Sequence, residues 1–214
     1  ESDAIATLSL EIVFRTSERP QYVTTETRDK MINILDGVAA RKTGLPNDEI
    51  NKGLNSVENV TKMVATDGSS DVENKQSLYK KIDKVVDNFF DATFVGDPKT
   101  TQITLDGEYI QATFAKDSPQ NFVNKTFSLN EKGGSDNGST PAVFSANLPA
   151  GLTAKQITDD SSMLVQFAVK NFNSYGSNEK NSVTSSTITL TIKSQASSGV
   201  ISALSIADLD DPIE

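Results

Sequence analysis

The hydrophobic pattern of this chain changes period at Gly96-Asp97-Pro98, and this change constrains the fold more than any other feature. Between Pro20 and this point, apolar residues recur at three- and four-residue steps, as on one face of a helix; after it, short Thr-, Val-, Ile- and Phe-rich segments follow one another. The pattern predicts an α+β protein, with a helical subdomain of about three helices followed by an antiparallel β-sandwich. The predicted divisions are an entry strand or linker at 1–20, the helical subdomain at 21–96 and the β-sandwich subdomain at 97–214.

Three helices are predicted in the first half of the chain. Thr24 or Thr25 suits the start of the first, Asn47 the N-cap of the second, and Ser70-x-x-Glu73 forms a capping box before the third. Their apolar faces are Met31, Ile34, Leu35, Val38 and Ala39; Ile50, Leu54, Val57, Thr61 and Val64; and Leu78, Ile82, Val85, Val86, Phe89 and Phe90. The aromatic end of the third face could line a ligand groove, but packing against neighbouring helices is the favoured interpretation.

Alternating apolar residues predict the strands. Leu8, Leu10, Ile12 and Phe14 alternate with Ser9, Glu11, Val13 and Arg15 and predict an entry strand. Seven further strands are predicted at 101–105, 108–115, 121–129, 142–148, 162–171, 186–193 and 200–207. In the segment 186–193, Ile188, Leu190 and Ile192 are expected to face inward, and the threonines between them outward. The polar segments 131–141 and 173–182 are predicted to be loops.

The composition removes most routes to catalysis. The chain has no His and no Cys, so His-dependent triads, thiol nucleophiles and zinc ribbons are excluded. It also lacks the phosphate-binding, dinucleotide-binding and nucleophile-elbow motifs. A formal charge of -9 without a basic, aromatic-rich run argues against nucleic acid. We therefore expect no enzyme activity, no cofactor and no metal.

Two acidic groups, Asp159-Asp160 and Asp208-Leu209-Asp210-Asp211, carry oxygen ligands of the kind that calcium prefers. Neither completes a calcium-binding loop, and solvated turns are the favoured interpretation.

Three asparagines, Asn59, Asn124 and Asn137, stand in the N-x-[ST] pattern of glycosylation acceptors. The chain holds 16 Asn and 45 Ser or Thr, so about three such matches arise by chance. The pattern permits glycosylation at these positions without arguing for it.

The β-rich half resembles the ordered strands of the GAIN domain of polycystin-1-like proteins and adhesion receptors. The segments that carry the resemblance are Val143-Phe144-x-x-x-Leu148-Pro149, Met163 to Val169 with Asn171-Phe172, Ser185 to Ile192, and Leu209-x-x-Pro212-Ile213. The resemblance covers roughly 24–214 and consists of degenerate apolar patterns in a characteristic order. The family's self-cleavage motif would follow Glu214, so no cleavage residue is carried over, and the chain is expected to be a piece of a longer protein.

The resemblance implies a non-catalytic extracellular module of a large, membrane-anchored receptor or channel-associated protein. Such a module would stand on the plasma or ciliary membrane as part of a glycoprotein. Its expected partners are other ectodomains or the downstream segment of its own parent chain. The alternative function is a surface adhesin or carbohydrate-binding module, in which Tyr109 or Tyr175 would stack on sugar.

Overall fold

The computed structural model describes residues 2–41, 44–68, 72–96, 101–130, 143–148, 162–172 and 186–203. The chain divides into two compact units. A helical unit holds residues 1–98 and 170–187, and a β-rich unit holds residues 99–169 and 188–214. The chain therefore passes from one unit to the other three times.

The predicted entry strand is wrong: the chain opens with a 16-residue helix, α1 (Ser2–Ser17). Its buried residues are Ala6, Leu10, Val13 and Ser17, which are spaced as one helical face. The alternation that predicted a strand counted Leu8 and Ile12 as inward-facing. Both are more than half exposed, at 61% and 56%, so the period of two was accidental.

The three helices predicted in the first half of the chain are confirmed as α2 (Thr25–Ala39), α3 (Asn47–Thr66) and α4 (Val72–Gly96). Thr24 caps α2, since its hydroxyl accepts a hydrogen bond from the Thr27 backbone N–H at 3.2 Å. The predicted cap Asn47 is wrong: Asn47 is the first helical residue, and Pro46 holds the cap position without a side-chain bond. Ser70 of the predicted capping box lies outside the described residues.

The predicted faces of α3 and α4 are buried throughout, whereas Ile34 on α2 is 38% exposed and Arg28 and Ile32 are buried instead. Side chains of α2, α3 and α4 meet so closely that no water-sized space remains between them; they are Ile32, Leu35, Val57, Val60, Ile82 and Val85. The described residues of the helical unit thus form four helices of 15 residues or more, one more than expected.

Phe89 and Phe90 are fully buried, as the packing interpretation expected. Gly53 of α3 explains how Phe89 is accommodated. A Cβ at position 53 would lie 2.3 Å from the Phe89 Cζ atom, closer than real Cβ contacts come. The glycine therefore allows the Phe89 ring to lie against the α3 backbone.

The β-rich unit contains a five-stranded sheet in the order β1-β2-β5-β6-β7 and a two-stranded sheet, β3-β4. Their bounds are β1 Gln102–Asp106, β2 Ile110–Asp117, β3 Thr126–Asn130, β4 Val143–Asn147, β5 Ser162–Lys170, β6 Thr187–Gln195 and β7 Ile201–Ala203. The β1-β2, β3-β4 and β6-β7 pairs are antiparallel. Gly199 lies in the turn between β6 and β7 with φ +84°. A residue with a Cβ would be strained in this backbone conformation.

Both sheets contribute to one apolar core in this unit. Its members are Ala115, Phe122, Phe127, Ala146, Leu148, Met163, Val165, Phe167 and Ile192. Phe122 comes from α5 (Pro119–Phe122), a short helix that interrupts the strand predicted at 121–129 and shortens it to β3. Pro at the first helical position and the capping position of Ser118 favour this turn of helix over a strand.

The inward face predicted for β6 is only partly right. Ile192 is 4% exposed and belongs to the core, and Leu190 packs against it. Ile188 is 51% exposed, so the buried face of β6 does not extend to the beginning of the strand. The predicted loops at 131–141 and 173–182, and the end of the strand predicted at 200–207, lie outside the described residues.

Gly53→Ala is expected to destabilise the protein by about 1–3 kcal/mol through overpacking against Phe89. This effect outweighs the gain of about 1 kcal/mol that alanine brings to a helix interior. The matched control is Gly37→Ala in α2, where an added Cβ meets nothing within 4 Å and the position is exposed. Gly37→Ala should stabilise by about 0.5–1 kcal/mol. Urea unfolding midpoints measure both, and two variants that both gain stability would contradict the close approach.

Candidate functional site

The turn between α5 and β3 presents Asn124, the more accessible of the two predicted acceptor residues that the structure describes. Its backbone is left-handed, with φ 57°, and its side chain is exposed. Two hydrogen bonds clamp the turn to the end of β4: the Asn124 N–H donates to the Leu148 carbonyl at 3.0 Å, and the Leu148 N–H donates to the Lys125 carbonyl at 3.1 Å. Asn tolerates the left-handed region better than most residues, so the sequence suits the turn.

Two aromatic rings also pack against the turn. The Lys125 ammonium lies 4.8 Å from the centroid of the Phe122 ring and 5.6 Å from that of Phe127. Both phenylalanines belong to the buried core of the β-rich unit. The Thr126 hydroxyl, which completes the acceptor pattern, is hydrogen-bonded to the Asn147 side chain. The acceptor pattern therefore lies on a part of the surface that these contacts hold in place.

The second acceptor pattern, at Asn59, lies in the middle of α3. The Asn59 amide nitrogen donates to the Ser17 hydroxyl at 3.1 Å, and Ser17 is 1% exposed. Thr61 is fully buried, and its hydroxyl donates to the Val57 carbonyl at 2.7 Å. Asn59 thus serves the contact between α1 and α3. The third acceptor, Asn137, lies outside the described residues.

The tyrosines named for sugar binding give no exposed platform in the described part of the chain. Tyr109 is half-buried in the turn between β1 and β2, and Tyr175 lies outside the described residues. The exposed tyrosine of the described chain is Tyr22, at 78%, in a short 3-10 turn (Pro20–Tyr22).

A buried ion pair in the helical unit was not found from the sequence. The Lys170 ammonium lies 2.6 Å from an oxygen of Asp83 in α4, with the two side chains 3% and 19% exposed. Two residues further along the chain, Phe172 stacks on Tyr79 of α4 at a ring-centroid distance of 4.6 Å. These contacts fix the start of the 170–187 segment on α4. One sequence feature could have indicated this pair. Lys170 ends a run of apolar residues and lies on the same face of the strand as Leu164 and Ala168, so a buried lysine could be expected there.

A second charged cluster surrounds Arg28, whose side chain is 5% exposed. Its guanidinium lies 2.7 Å from Asp67 and 3.2 Å from Asp29. A depression of about 230 Å³ opens beside it, lined by Pro20, Val23, Thr24, Thr25, Met63, Thr66 and Asp67. Because the positive charge of Arg28 is already compensated by carboxylates, the cluster ties α2 to the end of α3 and offers no free cation to a ligand.

Polar contacts attach the unpredicted helix α1 to α3. Lys52 donates to Glu11 at 2.7 Å, and Arg15 donates to the same carboxylate at 2.9 Å. The hydrogen bond from Lys52, followed by that from Arg15, lowers the pKa of Glu11, and the bond to Glu11 raises the pKa of Arg15. A carboxylate with a lowered pKa stabilises the folded state at neutral pH, and that contribution is lost as the pH falls through the folded pKa.

The described residues contain no group of three or more acidic side chains placed to hold a metal ion. The acidic pairs at 159–160 and 208–211 lie outside them. No described helix is both long and apolar enough to cross a membrane.

Comparison with known proteins assigns no family. No protein-family model matches the chain, and no curated protein gives a significant match. The GAIN-domain resemblance therefore stays a prediction.

Lys170→Met is expected to destabilise the protein by about 3 kcal/mol, because it leaves the Asp83 carboxylate without its cation in a largely buried place. The double variant Lys170→Met/Asp83→Leu should recover most of the loss, since an apolar pair replaces the ionic one. The control is Lys30→Met in the exposed pair with Glu26, worth less than about 0.5 kcal/mol. Denaturant midpoints give all three values, and equal small losses for Lys170→Met and Lys30→Met would disprove the structural role of the buried pair.

Proposed function

We propose that this chain is a non-catalytic extracellular module of a large membrane receptor or channel-associated protein. It acts by adhesion, by mechanical coupling or by presenting a tethered segment. The observation that carries the proposal is the order of its two units: a bundle of four helices comes first, and strands follow at the positions of the GAIN-like segments. Three of the resembling segments, at 143–149, 163–172 and 185–192, have their described residues in or directly beside strands β4, β5 and β6; the fourth, at 209–213, lies outside the described residues.

The β-rich unit is proposed to be a small sandwich. Support comes from the shared core, in which Phe127 and Ala146 of the two-stranded sheet join Met163, Val165 and Ile192 of the five-stranded sheet. Packing of two sheets over one apolar core is the defining arrangement of a sandwich.

The non-catalytic part of the proposal is supported by chemistry. The chain has neither His nor Cys. Among the described residues, the buried charged groups are Arg28 and Lys170, and both already pair with carboxylates and hold structural elements in place. Neither is left as an unpaired charge for a reaction, which supports a non-catalytic module.

Mechanical coupling is supported by the path of the chain. Because the chain passes between the units three times, at 98–99, 169–170 and 187–188, each unit is built from separate stretches of sequence. Tension carried along the chain therefore passes from one unit into the other at these points. The ion pair between Lys170 and Asp83 and the stacking of Phe172 on Tyr79 oppose withdrawal of the 170–187 segment from the helices.

The alternative function, a surface adhesin or carbohydrate-binding module, has less support. Sugar-binding sites commonly offer an exposed aromatic face, and Tyr109 is half-buried. Selective binding on a glycan array would favour this alternative over the receptor module.

Antibodies raised against the purified chain are expected to label intact cells that express the parent protein, because the proposed module stands outside the membrane. Flow cytometry of intact and permeabilised cells measures this, with an antibody to a cytosolic protein as the control for membrane integrity. Labelling that appears only after permeabilisation would refute the extracellular proposal.

A further inference from the structure

The two described glycosylation patterns lie in opposite environments, and we infer that Asn124 is the N-glycan acceptor whereas Asn59 stays unmodified in the folded protein. The inference rests on the proposed extracellular function, because N-glycans are added in the secretory pathway. It goes beyond the acceptor pattern itself, which occurs at chance frequency and treats both sites alike.

Asn124 meets the steric requirement of an acceptor. Its side chain is exposed at the tip of the α5–β3 turn, and its amide nitrogen makes no hydrogen bond to any described residue. The bonds that fix the turn use the backbone, from Asn124 to Leu148 and from Leu148 to Lys125, so a substituent on the side-chain nitrogen breaks none of them. The core residues Phe122 and Phe127 pack beneath the turn and keep their contacts.

Asn59 fails the same requirement. Its amide nitrogen is 3.1 Å from the hydroxyl of the buried Ser17, which places the nitrogen at the contact between α3 and α1. An oligosaccharide on that nitrogen would separate the two helices, which also meet through Lys52 and Glu11. A chain glycosylated at Asn59 would therefore lose the docking of α1, and such molecules should be retained as misfolded and not secreted.

The reaction is a group transfer from a lipid-pyrophosphate-linked oligosaccharide. The bond between the sugar C1 and the pyrophosphate oxygen breaks, and a bond from C1 to the Asn124 Nδ2 atom forms. The amide nitrogen gives up one proton, and the lipid pyrophosphate leaves with the bonding electron pair. The carboxamide keeps one N–H, so the product remains a neutral amide.

A glycan at this turn has a consequence for partners. It would cover the surface around the α5–β3 turn and exclude a protein from binding there. Partners of the β-rich unit would then have to approach from another side.

The test expresses the whole chain, with a secretion leader, in a eukaryotic cell. Each asparagine is then mapped by mass spectrometry after enzymatic glycan release in H₂¹⁸O. The expected result is occupancy of Asn124 in most secreted molecules and none at Asn59. Asn59→Gln should leave the intact mass before release unchanged apart from the substitution. An unmodified Asn124 in secreted protein, or a glycan on Asn59 in folded secreted protein, would overturn the inference.

Two kinds of variant separate the modification from the role of Asn124 in its turn. Thr126→Ala removes the acceptor pattern and Thr126→Ser keeps it, so the first should lose the glycan and the second retain it. Asn124→Gly removes the acceptor while tolerating the positive φ, so the turn is preserved. A glycan still mapped to Asn124 in Thr126→Ala, or lost from Asn124 in Thr126→Ser, would also overturn the inference.

The glycan mapping and the surface labelling test the acceptor inference and the proposed function separately. The secreted chain reports which asparagine accepts a glycan wherever the parent protein resides, whereas surface labelling reports the location of the parent. Surface labelling without occupancy of Asn124 defeats the acceptor inference alone. Occupancy of Asn124 without surface labelling defeats the extracellular proposal alone.

Discussion

A buried ion pair holds a distant part of the chain in the helical unit. Lys170 reaches Asp83 of α4 across 2.6 Å with only 3% of its side chain exposed. Burial of two charges gains little stability by itself, but breaking one such pair is costly, because the remaining charge is then uncompensated. We therefore expect the pair to act mainly on specificity, by favouring the arrangement in which Lys170 and the residues after it belong to the helical unit.

The helices were predictable where one face is buried and the other is wet. The faces of α3 and α4 follow the three- and four-residue steps read from the sequence, and every residue predicted for them is buried. Helix α1 was missed because it is apolar on two sides: Leu10 and Val13 are buried, while Ile5, Leu8 and Ile12 are exposed. When apolar residues occur on both sides of a helix, a period of two can appear among them by accident.

The strands described after Gly96 were predictable in approximate position but less so in extent. The segment 121–129 was predicted as one strand from its apolar residues. Its first residues belong to α5 instead, because Pro119 and Ser118 favour a helical turn. The candidate sites were harder still. The acceptor pattern names three asparagines equally, and only the contact of Asn59 with Ser17 and the exposure of Asn124 distinguish two of them. The pair of Lys170 and Asp83 joins residues far apart in sequence, and composition carries no information on such pairs.

The contact of Gly53 with Phe89 bears on how distant relatives can be recognised. Apolar positions in a helical bundle accept Leu, Ile, Val or Met, so these residues are substituted during evolution until sequence similarity disappears. A glycine against which an aromatic ring packs, as Gly53 does with Phe89, is expected to be substituted only together with that ring. Covariation between a small residue in the third helix and a large one in the fourth should therefore outlast residue identity, and would trace the ancestry of this fold when ordinary alignment no longer does.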